Sequence, residues 1–199
     1  LPREAVRAVG TNSLRVAKNA PEFLKQAEAA LGFPIEVIAG REEARLIYLG
    51  VARGLPQTEE RRMVMDIGGG STEFIIGSGL QPSHLESLYM GCVSYSTRYF
   101  PDGKITKSNL KQAEFAARNE LQTIVAEYAR KHWDVAFGSS GSARVLCDIL
   151  EQNGYSNGGI TRDGLEKLRA QLLKAGDVYK LELQGLRLDR IPVLPGGFA

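Results

Sequence analysis

The spacing of apolar positions separates strands from helices along most of this chain. Short β-prone runs lie at residues 6–9, 35–38, 64–67, 74–76, 85–89 and 135–137, each too short for a helix and bounded by turn residues. Helical spacing holds over residues 21–31, with Pro21 in a tolerated first turn and Gly32 just past the end. It holds again over 42–53, stopped by Gly54 and Pro56. After Thr106, the positions Leu110, Ala113, Ala117, Leu121, Ile124 and Tyr128 predict one long amphipathic helix. Val145, Leu146 and Ile149 mark another helix, and Leu165, Leu168, Leu172 and Leu173 mark one that begins at Thr161. Residues 58–62 are polar and unpatterned, the best linker in the chain. Hairpin strands followed by strands alternating with helices predict an α/β fold with a mixed sheet flanked by helices.

The most informative interruption is Asp66-Ile67-Gly68-Gly69-Gly70-Ser71-Thr72-Glu73. It has no lysine after the glycines, so it is not a P-loop. A strand follows it, whereas a Rossmann glycine loop opens a helix. The segment is therefore a strand–turn–strand. A plain tight hairpin needs one or two special residues; three glycines plus Ser-Thr between two acids exceed that. Free N–H groups at Gly68, Gly69, Gly70, Ser71 and Thr72 would form an anion-binding concavity. Asp66 and Glu73 would stand where a hard cation bridging phosphate oxygens needs oxygen ligands. The expected site binds phosphate and Mg²⁺.

Glu43 points into the middle of the helical arc made by Leu46, Ile47, Gly50 and Val51, while Glu42 lies at its edge within reach of Arg45. Glu is seldom placed on an apolar stripe without a partner or a task. Two readings stand: a general base for an attacking water, or a first-turn acid complementing the helix dipole. A second small-residue loop, Gly138-Ser139-Ser140-Gly141, joins a strand to a helix. It either faces a phosphate or nucleotide with a helix N-terminus or is a close-packed strand–helix turn. Neither it nor Ser71 fits the Gly-x-Ser-x-Gly elbow. Arg15, Arg98, Arg144 and Arg190 have the right chemistry for phosphate clamps.

Bulk properties narrow the field without choosing the chemistry. With 43% hydrophobic residues in 199, a core can form. A net charge of +2 is too small to predict nucleic-acid or membrane binding, and no apolar stretch is long enough to span a bilayer. Cys92 and Cys147 lack metal or redox spacing and are expected to be buried thiols of a cytoplasmic protein; His84 and His132 have no ligand spacing. The chain opens on Leu1 and stops at Ala199 after Pro195-Gly196-Gly197, and reads as a piece of something longer.

Together, residues 7–15, 36–47, 66–73, 90–94, 138–142 and 192–199 resemble the exopolyphosphatase / guanosine pentaphosphate phosphohydrolase family of the actin-like superfamily. The pairing of Glu42-Glu43-Ala44-Arg45-Leu46-Ile47 with the Asp66–Glu73 run is the most specific part. The resemblance implies an actin-like (ribonuclease H-like) fold, with residues 1–59 as the back half of a first lobe and 60–199 as most of a second. It implies hydrolysis of the terminal phosphoanhydride of inorganic polyphosphate or guanosine pentaphosphate with Mg²⁺. Glu43 takes the place of the catalytic base, with Arg15 lining the cleft. Asp66 and Glu73 hold the metal directly or through water, and residues 68–72 form the second phosphate loop. Arg190 matches a further cleft arginine. The resemblance further implies a homodimer for the full-length protein. The family's Asp-x-Gly-Ser-Asn-type first phosphate loop has no counterpart here. Two alternatives remain at this point: an ATP-dependent kinase or ATPase of the same superfamily, and a non-catalytic polyphosphate- or nucleotide-binding module.

Overall fold

The computed structural model describes residues 2–199. Strand β1 (Ala8–Gly10) leads through α1 (Asn12–Val16) and α2 (Ala20–Leu31) to β2 (Ile35–Val37), which pairs parallel with β1. Helix α3 (Gly40–Arg53) follows, then an antiparallel meander of β3 (Arg61–Ile67), β4 (Thr72–Ser78) and β5 (Gln81–Leu88). Next come α4 (Cys92–Tyr99), α5 (Lys107–Leu121), β6 (Val135–Ser139), α6 (Ser140–Gln152), α7 (Arg162–Ala175) and α8 (Leu194–Phe198). Strand β6 returns parallel to β3, so the larger sheet runs β5-β4-β3-β6. This mixed sheet flanked by helices is the actin-like arrangement implied by the resemblance.

Local chemistry sets the helix ends. Gly32 closes α2 in the left-handed region at φ 78°, its N–H donating to the Glu28 carbonyl, as a glycine C-cap should. Thr106 caps α5 through a reciprocal box with Asn109, and the Thr161 side chain accepts from the Gly164 N–H to start α7. Two expectations needed correction. The helix after Thr106 stops at Leu121, and Ile124 and Tyr128 are buried from the turns beyond it. They keep the apolar rhythm because they fill the same core, not because the helix continues. Cys147 is only half-buried, with its thiol donating to Glu151 Oε1 at 3.3 Å. It lies off the α6 stripe of Val145, Leu146, Ile149 and Leu150 that turns inward.

Strand β4 is buried on both faces, which divides the interior in two. Phe74 and Ile76 face the main core, with Tyr95 of α4, Leu110 of α5, Ile149 of α6 and Leu168 of α7. Ile75 and its ladder partner Val64 face α3, against Ala44, Tyr48 and Ala52. Fully burying each large apolar side chain stabilises the fold by about 1.5–3 kcal/mol, so this smaller cluster is what fixes α3 to the sheet. The period of two along β3 and β4 then puts Asp66 and Glu73 on that same α3-facing side.

Candidate functional site

The glycine hairpin is held from behind. The first-turn amides of α4 donate to its carbonyls: Cys92 to Gly68 at 2.9 Å, Val93 to Gly69 at 2.9 Å and Ser94 to Gly69 at 3.0 Å. Gly91 allows that approach, since a Cβ there would lie 2.5 Å from the Gly69 carbonyl oxygen. With its carbonyls satisfied, the loop leaves its own donors unused. Among the described residues, the N–H groups of Gly69, Gly70 and Ser71 meet no protein acceptor. The cradle is narrower than the 68–72 expected from the sequence. The Gly68 amide donates to the Ser71 carbonyl at 3.0 Å, and Thr72 is a ladder residue paired with Ile67 and Leu88.

The acids flanking the loop are direct neighbours across the β3–β4 ladder. Asp66 is 9% exposed and Glu73 is 2% exposed. Burial pushes both carboxyls above the ordinary range. Hydroxyls of Ser140 and Ser139 on Asp66, and of Ser87 and Ser71 on Glu73, oppose that shift, and the negative charge of Glu43 adds to it. Ser87 donates to Glu73 Oε1 at 2.8 Å. Among the described residues, neither acid has a cationic partner in an ion pair. Two buried carboxylates without a countercharge fit a divalent cation. No cluster of three or more His, Cys, Asp or Glu is spaced for a metal among those residues, so phosphate oxygens and water would have to complete the ligand set.

Helix α3 brings Glu43 over the same place. An open cleft of about 360 Å³ is lined by Glu43, Asp66, Glu73, Gly68 and Ser140, with Leu46 and Ile47 as an apolar wall. Arg15 of α1 donates through Nη1 to Glu43 Oε2 at 3.0 Å and to the Ile38 carbonyl at 2.8 Å. Glu42 is turned aside into a two-bond pair with Arg45, leaving Glu43 as the acid of the pair that faces the cleft.

The second loop divides between the two readings. Gly138 is a packing residue, because a Cβ there would lie 2.6 Å from the Ala143 Cβ. Ser139 is the ladder partner of Asp66. Ser140 lines the cleft and sits at φ 70°, alone among the described non-glycine residues in the left-handed region. Such strain persists when surrounding structure imposes it, and it clusters at functional sites. Arg190 is not among the residues that line the cleft, although it packs beside Gly141, the neighbour of Ser140. Its guanidinium covers Gly141 and borders a separate hollow with Ser142 and Leu194. Sequence reasoning missed Ser87, a strand residue with no motif around it, and the short helix α1 that carries Arg15, which apolar spacing did not mark.

The model of the Ppx/GppA phosphatase family matches residues 1–199. Among solved structures, the chain is similar to the Aquifex aeolicus PPX-GPPA enzyme, with 30% identity and a TM-score of 0.71, covering 97% of this chain and 65% of that one. It is also similar to an exopolyphosphatase from Cytophaga hutchinsonii, at 22% identity and a TM-score of 0.78, covering 97% and 64%. An exopolyphosphatase-like protein superposes with a TM-score of 0.82 at 22% identity, covering 96% and 62%; at that identity the likeness speaks for the fold alone. The chain thus spans just under two thirds of the length of each of these solved relatives.

Proposed function

The chain belongs to the Ppx/GppA phosphatase family, and from that premise we propose that its cleft hydrolyses the terminal phosphoanhydride of inorganic polyphosphate or guanosine pentaphosphate. The observation that carries this reading is one cleft shared by Glu43, the Asp66–Glu73 pair and Gly68, the residue that opens the glycine loop. A water molecule attacks the terminal phosphorus in line as the bond to the leaving phosphate breaks. Glu43 accepts the proton of that water, held in place by Arg15. The free amides of Gly69, Gly70 and Ser71 donate to oxygens of the transferring phosphoryl group, where charge is spread during the reaction. Asp66 and Glu73 would hold Mg²⁺, directly or through water; when bound, it supplies positive charge to the phosphate oxygens.

In this reading residues 1–59 complete the back of a first lobe, 60–199 form most of a second, and the full-length protein works as a cytoplasmic homodimer. The test is release of inorganic phosphate from polyphosphate or guanosine pentaphosphate by the intact protein, with Mg²⁺ and no acceptor molecule. Acceptor-independent release supports a hydrolase. Release of ADP from ATP that appears only with a sugar or acid acceptor would replace it with a kinase, and binding without turnover would replace it with a sensor module.

A further inference from the structure

Asn12 is a polar residue that neither the loop nor the catalytic set explains. It opens α1, and its side chain reaches across to the glycine hairpin. A Cβ on Gly70 would collide with Asn12 Nδ2 and would lie 3.2 Å from its Cγ. The carboxamide therefore occupies the space a side chain at residue 70 would need. Its other end is unsatisfied: Oδ1 is buried and accepts no hydrogen bond among the described residues. A buried acceptor without a donor is costly, and the neighbouring loop amides, themselves without protein partners, are as incomplete as it is. One turn further along α1, Arg15 holds Glu43. The same short helix thus presents one residue to the anion-binding loop and another to the base.

We propose that Asn12 is a positioning residue for the terminal phosphoryl group: its carboxamide braces Gly70, and its Oδ1 accepts a hydrogen bond from an O–H present only when the cleft is loaded. This rests on the phosphohydrolase reading. The O–H belongs either to the hydroxyl of a protonated terminal phosphoryl group or to a water molecule carried in with the cation. An asparagine suits the task because it accepts a hydrogen bond without placing another negative charge beside a polyanion; the cleft already holds three carboxylates.

The test is calorimetric titration of the intact protein with tripolyphosphate, with and without Mg²⁺, alongside the melting temperature. Asn12→Leu keeps the shape and removes the acceptor; Asn12→Ala removes both. Each is expected to weaken tripolyphosphate binding about tenfold, the effect of one hydrogen bond to a charged ligand, with the melting temperature of Asn12→Leu close to wild type. Loss in both arms assigns the donor to the phosphoryl hydroxyl, and loss only with Mg²⁺ assigns it to bound water. Gly70→Ala forces Asn12 aside, and adding Asn12→Ala makes room again. That double variant should regain the melting temperature of Asn12→Ala but keep its weakened affinity. Wild-type affinity in folded Asn12→Leu or Asn12→Ala, or in the double variant, makes Asn12 a space-filler and overturns the proposal. Should the unaltered protein fail to bind tripolyphosphate in either arm, the phosphohydrolase reading falls first and this inference with it.

Discussion

The face of the sheet covered by α3 ends differently at its two extremes. At one, Asp66 and Glu73 oppose each other across the ladder beneath Glu43. At the other, Arg62 opposes Gly77, and Tyr48 packs down onto that glycine. Val64 and Ile75 form the rung between them. Both ends bury charge without an ion pair among the described residues, Arg62 being only 2% exposed, but they differ in what the charge faces. The Arg62 guanidinium donates to the Pro56 carbonyl and to Thr58 Oγ1 of the α3–β3 linker, so the chain's own atoms engage it. The acids are met by hydroxyls and by no cation, and they face an open cleft. One end is closed by the protein; the other opens onto the cleft. Charge burial by itself therefore does not mark a site. What sets the acid end apart is that its buried charges face an open cleft.

The largest effect belongs to the acid end. Glu43→Gln keeps size and a hydrogen-bond acceptor for Arg15 but removes the base. Turnover of polyphosphate should fall about 10²–10⁴-fold, the usual contribution of a positioned base, while tripolyphosphate binding changes little. Rate measurements on the intact protein check this. Near-normal turnover would mean that the acid end is not the reactive end, and the comparison would lose its functional half.

The closed end is tested by Gly77→Ala. A Cβ there would stand 2.5 Å from Tyr48 Cζ and Oη and 2.6 Å from the Gln81 carbonyl oxygen. The Tyr48 ring is buried and its hydroxyl is tied to the Gly79 carbonyl, so neither neighbour yields easily. Destabilisation of about 3 kcal/mol is expected, the upper part of the overpacking range, read by urea denaturation. A cost below about 0.5 kcal/mol, within the ordinary scatter of harmless substitutions, would show that this end is loosely filled.

These two variants also mark what could be read in advance. The glycine run, its flanking acids and the inward Glu43 are local patterns, and period alone placed them on a hairpin and on one helix face. The alternation along β3 and β4 even fixes which face Asp66 and Glu73 share. Other features depend on distant segments. The donors that satisfy the glycine loop come from α4, more than twenty residues on, and no motif in Cys92-Val93-Ser94 announces them. The left-handed Ser140 is invisible because its residue type gives no warning of it. Tyr48 over Gly77 depends on how α3 crosses the sheet, which apolar spacing does not specify. Arg62 read as one more polar residue of a linker, yet β3 begins at Arg61 and carries it inside.

Glu73→Gln sharpens the contrast from the acid side. Burial raises the Glu73 carboxyl above its ordinary range, so the folded protein keeps this proton to higher pH than the unfolded chain. Below the ordinary carboxylate range both states are neutral there, and burial carries no charge penalty. As pH rises through the raised value, the folded state must hold the charge and loses stability. In metal-free buffer at pH 7, Glu73→Gln should therefore be more stable than wild type by about 1 kcal/mol, the scale of relieving one poorly compensated buried group. Its amide oxygen can still accept from Ser87. The advantage should vanish in acid, below the carboxylate range. Denaturation midpoints across pH measure it; a less stable variant at pH 7 would mean that the protein itself compensates this acid.

The smallest expected effect is at Arg62. Its Nε and Nη1 have no hydrogen-bond partner among the described residues, so the guanidinium is buried with only part of its donors used. Replacing a buried charge by an apolar side chain of similar length removes that desolvation cost, while the lost bonds release a carbonyl on Pro56, an exposed linker residue that water can reach. The two changes oppose each other, and Arg62→Met should alter global stability by less than about 1 kcal/mol, well below the effect of Gly77→Ala on the facing strand. The linker is where the difference should appear. Without the guanidinium holding Pro56 and Thr58, residues 54–60 should exchange amide hydrogens and yield to protease faster than in wild type, with β3 and β4 unchanged. If global stability instead falls by several kcal/mol, Arg62 anchors the sheet itself, and the closed end owes its closure to a charge rather than to the packing of Tyr48 on Gly77.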